Sequence, residues 1–155
     1  EMGDGETTRR LVVSMERLRQ TAWESFWEEE KGAFVSGSSR QVSWATQVWM
    51  VLADVPGREE SWKLLLHMAE TGSELPMITP YMYHYYVEAL LHCGMKDEAV
   101  NVIRNYWGGM VNEGADTFWE LYNPANPDES PYGSVMLNSF CHAWSCTPSY
   151  LLRKL

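Results

Sequence analysis

Three observations predict an all-α fold of antiparallel helical hairpins. Apolar residues recur at steps of three and four along most of the first two thirds of the chain, and no stretch reads as a strand. Helices with one polar face take turns with helices that are apolar almost all round. The connections between them are short and carry Gly or Pro. Hairpins stacked side by side produce that alternation, with the apolar helices as an inner ring. The 155 residues can bury a single core and accommodate about three such hairpins, whereas a closed ring needs more.

The first helix is expected from about Thr7 to Glu30. Leu11, Met15, Leu18, Ala22 and Phe26 mark one face of it, and Trp23 and Trp27 extend the stripe. The acidic run Glu28-Glu29-Glu30 then lies at the helix end and reads as a solvated face, although negative charge is unfavourable there. Gly32 punctuates the end, and residues 34–39 form a connection. A second helix is expected from Gln41 to about Asp54, apolar at Val42, Ala45, Val48, Trp49 and Leu52, with Pro56-Gly57 stopping it. A third, from Glu59 to about Glu70, turns Trp62, Leu65, Leu66 and Ala69 inward. Thr79 and Pro80 supply the N-cap and first-turn proline of a fourth, which runs to His92 with Gly94 just past its end. Lys96 to about Trp107 makes a fifth. After a long loop from Gly108 to Gly133, Ser134 to about Ala143 and Pro148 to Leu155 are expected to be helical.

Composition narrows the function classes. A net charge of −9 with no basic run argues against a nucleic-acid partner. Three cysteines, at 93, 141 and 146, are an odd number without metal-like spacing, so neither a disulfide framework nor a metal site is indicated. No apolar run is long enough to span a membrane, no signal peptide opens the chain, and no cofactor motif is present. The choice between periplasm, exterior and cytoplasm stays open. The opening residues, Glu1 to Glu6, do not look like a natural start, and the end at Leu155 has no polar tail, so a piece of a longer protein is expected. Eight Trp and eight Tyr against four Phe favour rings with a polar handle, which suit partly wet clefts and stack on the C–H faces of sugars.

The chemistry concentrates in Gly114-Ala115-Asp116-Thr117-Phe118-Trp119-Glu120, ahead of a loop rich in Pro, Asn and Asp. Glu120, directly after a Trp and at the start of that loop, is placed to act as a base, although most Glu near helix ends are solvated or cap the helix. His142 can bond a sugar hydroxyl or hold Glu120; the plainer reading is a histidine satisfied by backbone. Trp119 and Trp144 can wall a sugar pocket or fill core, and Trp44 on the second helix can point toward the inner axis. In Tyr81-Met82-Tyr83-His84-Tyr85-Tyr86 the aromatics cover every helix face, so one of the pairs Tyr81/Tyr85 and Tyr83/Tyr86 is expected to line a cleft. Asp128-Glu129 sits between prolines in what reads as an exposed turn.

These residues also resemble a known family. Thr79-Pro80-Tyr81, Gly94-Met95-Lys96-Asp97-Glu98-Ala99, the Trp119-Glu120 element and Ser139-Phe140-Cys141-His142-Ala143-Trp144-Ser145 occur in the order found in bacterial α-L-rhamnosidases, glycoside hydrolase family 78. Gln41-Val42-Ser43-Trp44-Ala45-Thr46-Gln47 resembles an inner-helix segment of that family. The resemblance spans about residues 40 to 152. It implies the C-terminal portion of an (α/α)6 barrel, the six-hairpin glycosidase type, that releases terminal α-L-rhamnose with inversion. It implies Glu120 as general base and His142 as a sugar contact, and it makes Trp119, Trp44, Trp144, Tyr81, Tyr83 and Asp116 candidates for binding the carbohydrate substrate. The family's general acid lies in an upstream acidic motif with no counterpart here, and the family's β-sandwich domains are likewise absent. Asp116 stands where the family more often has Thr.

Two other classes fit in part. A non-catalytic helical-repeat module binding carbohydrate or protein would show a clear internal period, and none is found. Another six-hairpin glycosidase or a lyase remains open, the lyase with Tyr83 or His142 as its base. A partial barrel exposes inner-helix surface, so a dimer, or association with the remainder of the barrel, is expected.

Overall fold

The structure, a computed structural model, describes residues 4–155. Among them are six α-helices and one two-stranded antiparallel ladder, in two compact units that divide at Leu75 and Pro76.

The N-terminal unit opens with α1 (Gly5–Phe26). Asp4 caps it, accepting the Glu6 N–H at 3.1 Å and the Thr7 hydroxyl. The expected apolar stripe is present, but none of its residues is buried: Leu11 is 59% exposed and Leu18 68%. Among the described residues, the bonds that tie the helix to the rest of the unit begin at Arg19. Arg19 donates to the Ala53 carbonyl at 2.9 Å and pairs with Asp54. Trp23 stacks on Trp27 with centroids 4.8 Å apart, and both rings meet Phe34 edge-on.

The helix stops at Phe26, four residues before the expected Glu30. The chain turns back as β1 (Trp27–Glu28) and β2 (Ala33–Phe34), with Trp27 opposite Phe34 and Gly32 at φ 57° closing the turn. This corrects the strandless expectation. Two-residue strands are too short to show an alternating period. Glu28 and Glu29 are consequently not helix-terminal: Glu28 holds Arg40 at 2.6 Å, and Glu29 accepts the Trp27 indole N–H at 2.7 Å.

Next come α2 (Trp44–Leu52), capped by Ser43, and α3 (Arg58–Thr71), which pack through Val48, Val51, Leu64, Leu65 and Met68. Gln47 of α2 is fully buried. Its carbonyl accepts the Phe34 N–H at 2.8 Å, and its amide donates to the Phe34 carbonyl at 2.7 Å and the Ser43 carbonyl at 3.0 Å. A buried amide is tolerated because these bonds satisfy it.

The C-terminal unit is organised by α4 (Pro80–His92) and α5 (Lys96–Asn112), a hairpin joined through Gly94 at φ 80°. Thr79 caps α4 as expected, accepting the Met82 N–H. Val87, Ala89, Leu90, Ala99, Ile103, Tyr106, Trp107 and Met110 form the core between the two helices. The last part departs from the expectation. In place of a helix from Ser134 to Ala143 there are single 3₁₀ turns at Val135–Leu137 and Ala143–Ser145, and the short α6 (Pro148–Leu151) ends the regular structure. The backbone of residues 139–142 pairs with residues 118–120, so it is not available to a helix. No helix of the described residues is long and apolar enough to cross a membrane.

Candidate active site

The chain leaves α5 at Asn112 and runs through Gly114 (φ 96°) into Asp116–Glu120. This segment lies against Ser139–Ser145. The Glu120 N–H donates to the Ser139 carbonyl at 2.8 Å, and the His142 N–H donates to the Phe118 carbonyl at 2.7 Å. Side chains reinforce the pairing: the Thr117 hydroxyl donates to the Phe140 carbonyl, and the Ser145 hydroxyl to the Trp119 carbonyl at 2.5 Å. The Trp144 indole N–H reaches the Glu120 carbonyl at 3.3 Å. The Trp-Glu and Cys-His-Ala-Trp elements, some 20 residues apart in sequence, are thereby held as one piece.

The Glu120 carboxylate is half-buried and doubly engaged. Oε2 accepts the Ser139 N–H at 2.9 Å, and Oε1 accepts the Tyr132 hydroxyl at 2.8 Å. The Ser139 N–H, then the Tyr132 hydroxyl, then the nearby His142 hold this carboxyl below the usual carboxylate range, outweighing a small opposing effect of desolvation. The group is therefore ionised at neutral pH. Each carboxylate oxygen retains a free lone-pair direction, so the group can still accept a proton from a bound water.

Aromatic rings adjoin it. His142 lies 4.5 Å from Trp144, centroid to centroid, and Trp144 lies 5.6 Å from Tyr81, which meets Tyr85 edge-on at 5.1 Å. Trp144 and Tyr81 are 39% and 41% exposed, so their rings remain open to contact. The Nδ1 atom of His142 is enclosed without a hydrogen-bond partner. Trp119 is half-buried, edge-on to Phe140 at 5.3 Å and to Tyr122 at 6.1 Å.

Other candidates lie elsewhere. Tyr83 stacks on Tyr106 with centroids 3.5 Å apart, and burial raises its hydroxyl above the usual tyrosine pKa, a poor property for a base. Asp116 is exposed and lines a cleft of about 380 Å³ with Arg104, Trp107, Val111, Phe118 and Pro148, a cleft whose lining does not include Glu120. Trp44 is the first residue of α2, in the N-terminal unit. Glu129 is held by the Asn123 side-chain amide. Among the described residues no group of three or more His, Cys, Asp or Glu is arranged to hold a metal ion.

Sequence reasoning missed Tyr132 and the role of the Ser139 amide. Tyr132 sits in Pro131-Tyr132-Gly133, a turn whose only visible signal was exposure. A backbone donor leaves no signal in side-chain pattern.

The bacterial alpha-L-rhamnosidase six-hairpin glycosidase domain matches residues 2–155. The chain belongs to this family. A solved rhamnosidase from Klebsiella oxytoca with rhamnose bound is 44% identical, with a TM-score of 0.91, over 97% of this chain and 29% of that one. The GH78 family rhamnosidase of Bacillus sp. GL1 is 30% identical, with a TM-score of 0.72, over 88% of this chain and 15% of that one. The chain thus spans less than a third of either rhamnosidase. No curated protein matches it. The resemblance carried by the Trp-Glu and Cys-His-Ala-Trp elements is borne out at the level of the family and of its predominantly helical, six-hairpin domain.

Proposed function

We propose that the chain is the C-terminal part of the catalytic barrel of an inverting glycoside hydrolase that releases terminal α-L-rhamnose, with Glu120 as general base. The observation that carries this reading is the Glu120 carboxylate, kept ionised by two donors in a half-exposed site beside His142 and Trp144. Membership of the rhamnosidase family and the rhamnose held by the Klebsiella oxytoca relative support the choice of sugar.

In the proposed reaction a water lies between Glu120 and the anomeric carbon. Its oxygen bonds to that carbon from the face opposite the aglycone as its proton passes to the carboxylate. The glycosidic bond breaks, and the leaving oxygen takes a proton from an acid supplied by the rest of the parent protein. Inverting enzymes space the two carboxyl groups roughly 6.5–9.5 Å apart to admit that water. Trp144 and Tyr81 would pack on the sugar's C–H faces, and His142 would bond a hydroxyl.

The test is hydrolysis of an aryl α-L-rhamnoside by the parent protein, wild type beside Glu120→Gln. Loss of about a hundredfold or more in kcat by a folded variant is expected. Proton NMR of the first-formed rhamnose should show the β-anomer; the α-anomer would refute inversion. The 155-residue chain alone is expected to give no turnover, since both an acid and a base are needed.

A further inference from the structure

We infer that Tyr132 is a positioning residue for Glu120, aiming the carboxylate at the attacking water; this rests on the general-base reading above. The placement of Tyr132 is specific and is not explained by packing. The residue is 51% exposed, yet its hydroxyl donates to Glu120 Oε1 at 2.8 Å. A turn built for the purpose brings it back to the site. The Ser130 hydroxyl oxygen accepts the Tyr132 N–H at 3.1 Å and the same hydroxyl donates to Asn138 Oδ1 at 2.7 Å. Gly133, at φ 85°, closes the turn by donating its N–H to the Ser130 carbonyl at 3.0 Å.

The two donors reach the carboxylate from different segments. Ser139 belongs to the segment paired with Glu120 itself, and Tyr132 comes from the long loop, so the plane of the carboxylate is fixed from two sides. A carboxylate held by a single donor rotates about the axis of that bond, and misdirected lone pairs weaken a base even when it is ionised. The remaining groups facing Glu120 are His142, which also favours the ionised form, and the Trp144 indole, which engages only the backbone carbonyl.

The experiment uses the full-length parent with an aryl α-L-rhamnoside and compares wild type, Tyr132→Phe and Glu120→Gln across pH. Tyr132→Phe removes one oxygen at a half-exposed position, so the fold is expected to survive, with an unchanged melting temperature. Its kcat should fall about tenfold with KM within twofold, because the lost contact orients the base and does not bind sugar. The acidic limb of kcat/KM should move to higher pH, since a carboxylate that loses a donor is protonated more readily. Ser130→Ala, which loosens the turn and keeps the tyrosine, should shift the limb in the same direction by less. An unmoved acidic limb with kcat within twofold overturns the inference, as does a loss confined to KM or to the melting temperature. Activity surviving in Glu120→Gln would instead overturn the general-base reading, so the two failures are separable.

Discussion

Glu120 and Ser139 exchange bonds in both directions: the Glu120 N–H donates to the Ser139 carbonyl at 2.8 Å, and the Ser139 N–H donates to Glu120 Oε2 at 2.9 Å. One residue's backbone thus pins the chain beside the candidate base and favours its ionised form. Ser139→Pro removes the donor and leaves the acceptor. Asn138, at φ −72° and ψ 147°, already has the extended geometry that a following proline requires. The parent variant should lose about tenfold in kcat with its acidic limb moved to higher pH, whereas Ser139→Ala, whose hydroxyl serves only the Cys141 carbonyl, should stay within twofold. Steady-state kinetics over pH distinguishes them.

Adjacent glycines near the end of α5 should respond in opposite ways. A Cβ on Gly109 would lie 2.9 Å from the ring of Tyr122, which is buried against the rings of Tyr106 and Trp119 and would have to shift. A Cβ on Gly108 meets nothing within 4 Å. Gly108→Ala should gain up to about 1 kcal/mol from helix propensity. Gly109→Ala should lose about 1–2 kcal/mol, because overpacking outweighs the same gain. Urea unfolding of both variants measures the difference.

Gln47→Ala should destabilise the parent by about 3 kcal/mol, since the N–H and C=O of Phe34 would be left buried and unpaired. Gln47→Glu should be no better. It restores an acceptor for the N–H but sets a carboxylate oxygen against the Phe34 and Ser43 carbonyls. Thermal melts of the two variants provide the check.

His84 should make the protein acid-sensitive. Burial lowers its pKa from the ordinary 6.5, outweighing the favourable field of Glu88, while Lys154 opposes a charge and the Tyr85 and Tyr150 rings flank the imidazole. Its Nδ1 is enclosed without a partner. A histidine with a depressed folded pKa is harmless above the unfolded value, and its penalty grows as pH falls from about 6.5 toward the folded value. The drop in melting temperature between pH 7.5 and pH 5.5 should therefore be smaller in His84→Phe than in wild type.

The helical scaffold was legible in the sequence because its signals are local. Thr79-Pro80 and Gly94 marked the ends of α4, and the helical period of Ala99, Ile103 and Trp107 follows directly from one buried helix face. The family was legible through the identity of the Trp-Glu and Cys-His-Ala-Trp side chains. What was not legible depends on pairing across sequence. The helix expected at 134–143 is displaced by backbone bonds to residues 118–120, which no local propensity encodes. The apolar stripe of α1 was legible as a pattern but its exposure was not, since a period identifies a face without supplying the surface that covers it. Tyr83 and Tyr81, two residues apart, separated into a stacked core ring and an open one, a choice made by Tyr106 and Trp144 on other segments.

The amide of Gln47 also bears on solubility. A two-stranded ladder ordinarily leaves outward N–H and C=O groups that another chain can use to extend it, and aromatic strands are the worst placed in this respect. In this protein a helix side chain occupies both groups of Phe34, in the manner of a third strand one residue long. The most apolar point of the ladder is therefore closed to strand addition, and β2 has no need of the charged or proline gatekeepers that protect exposed strands.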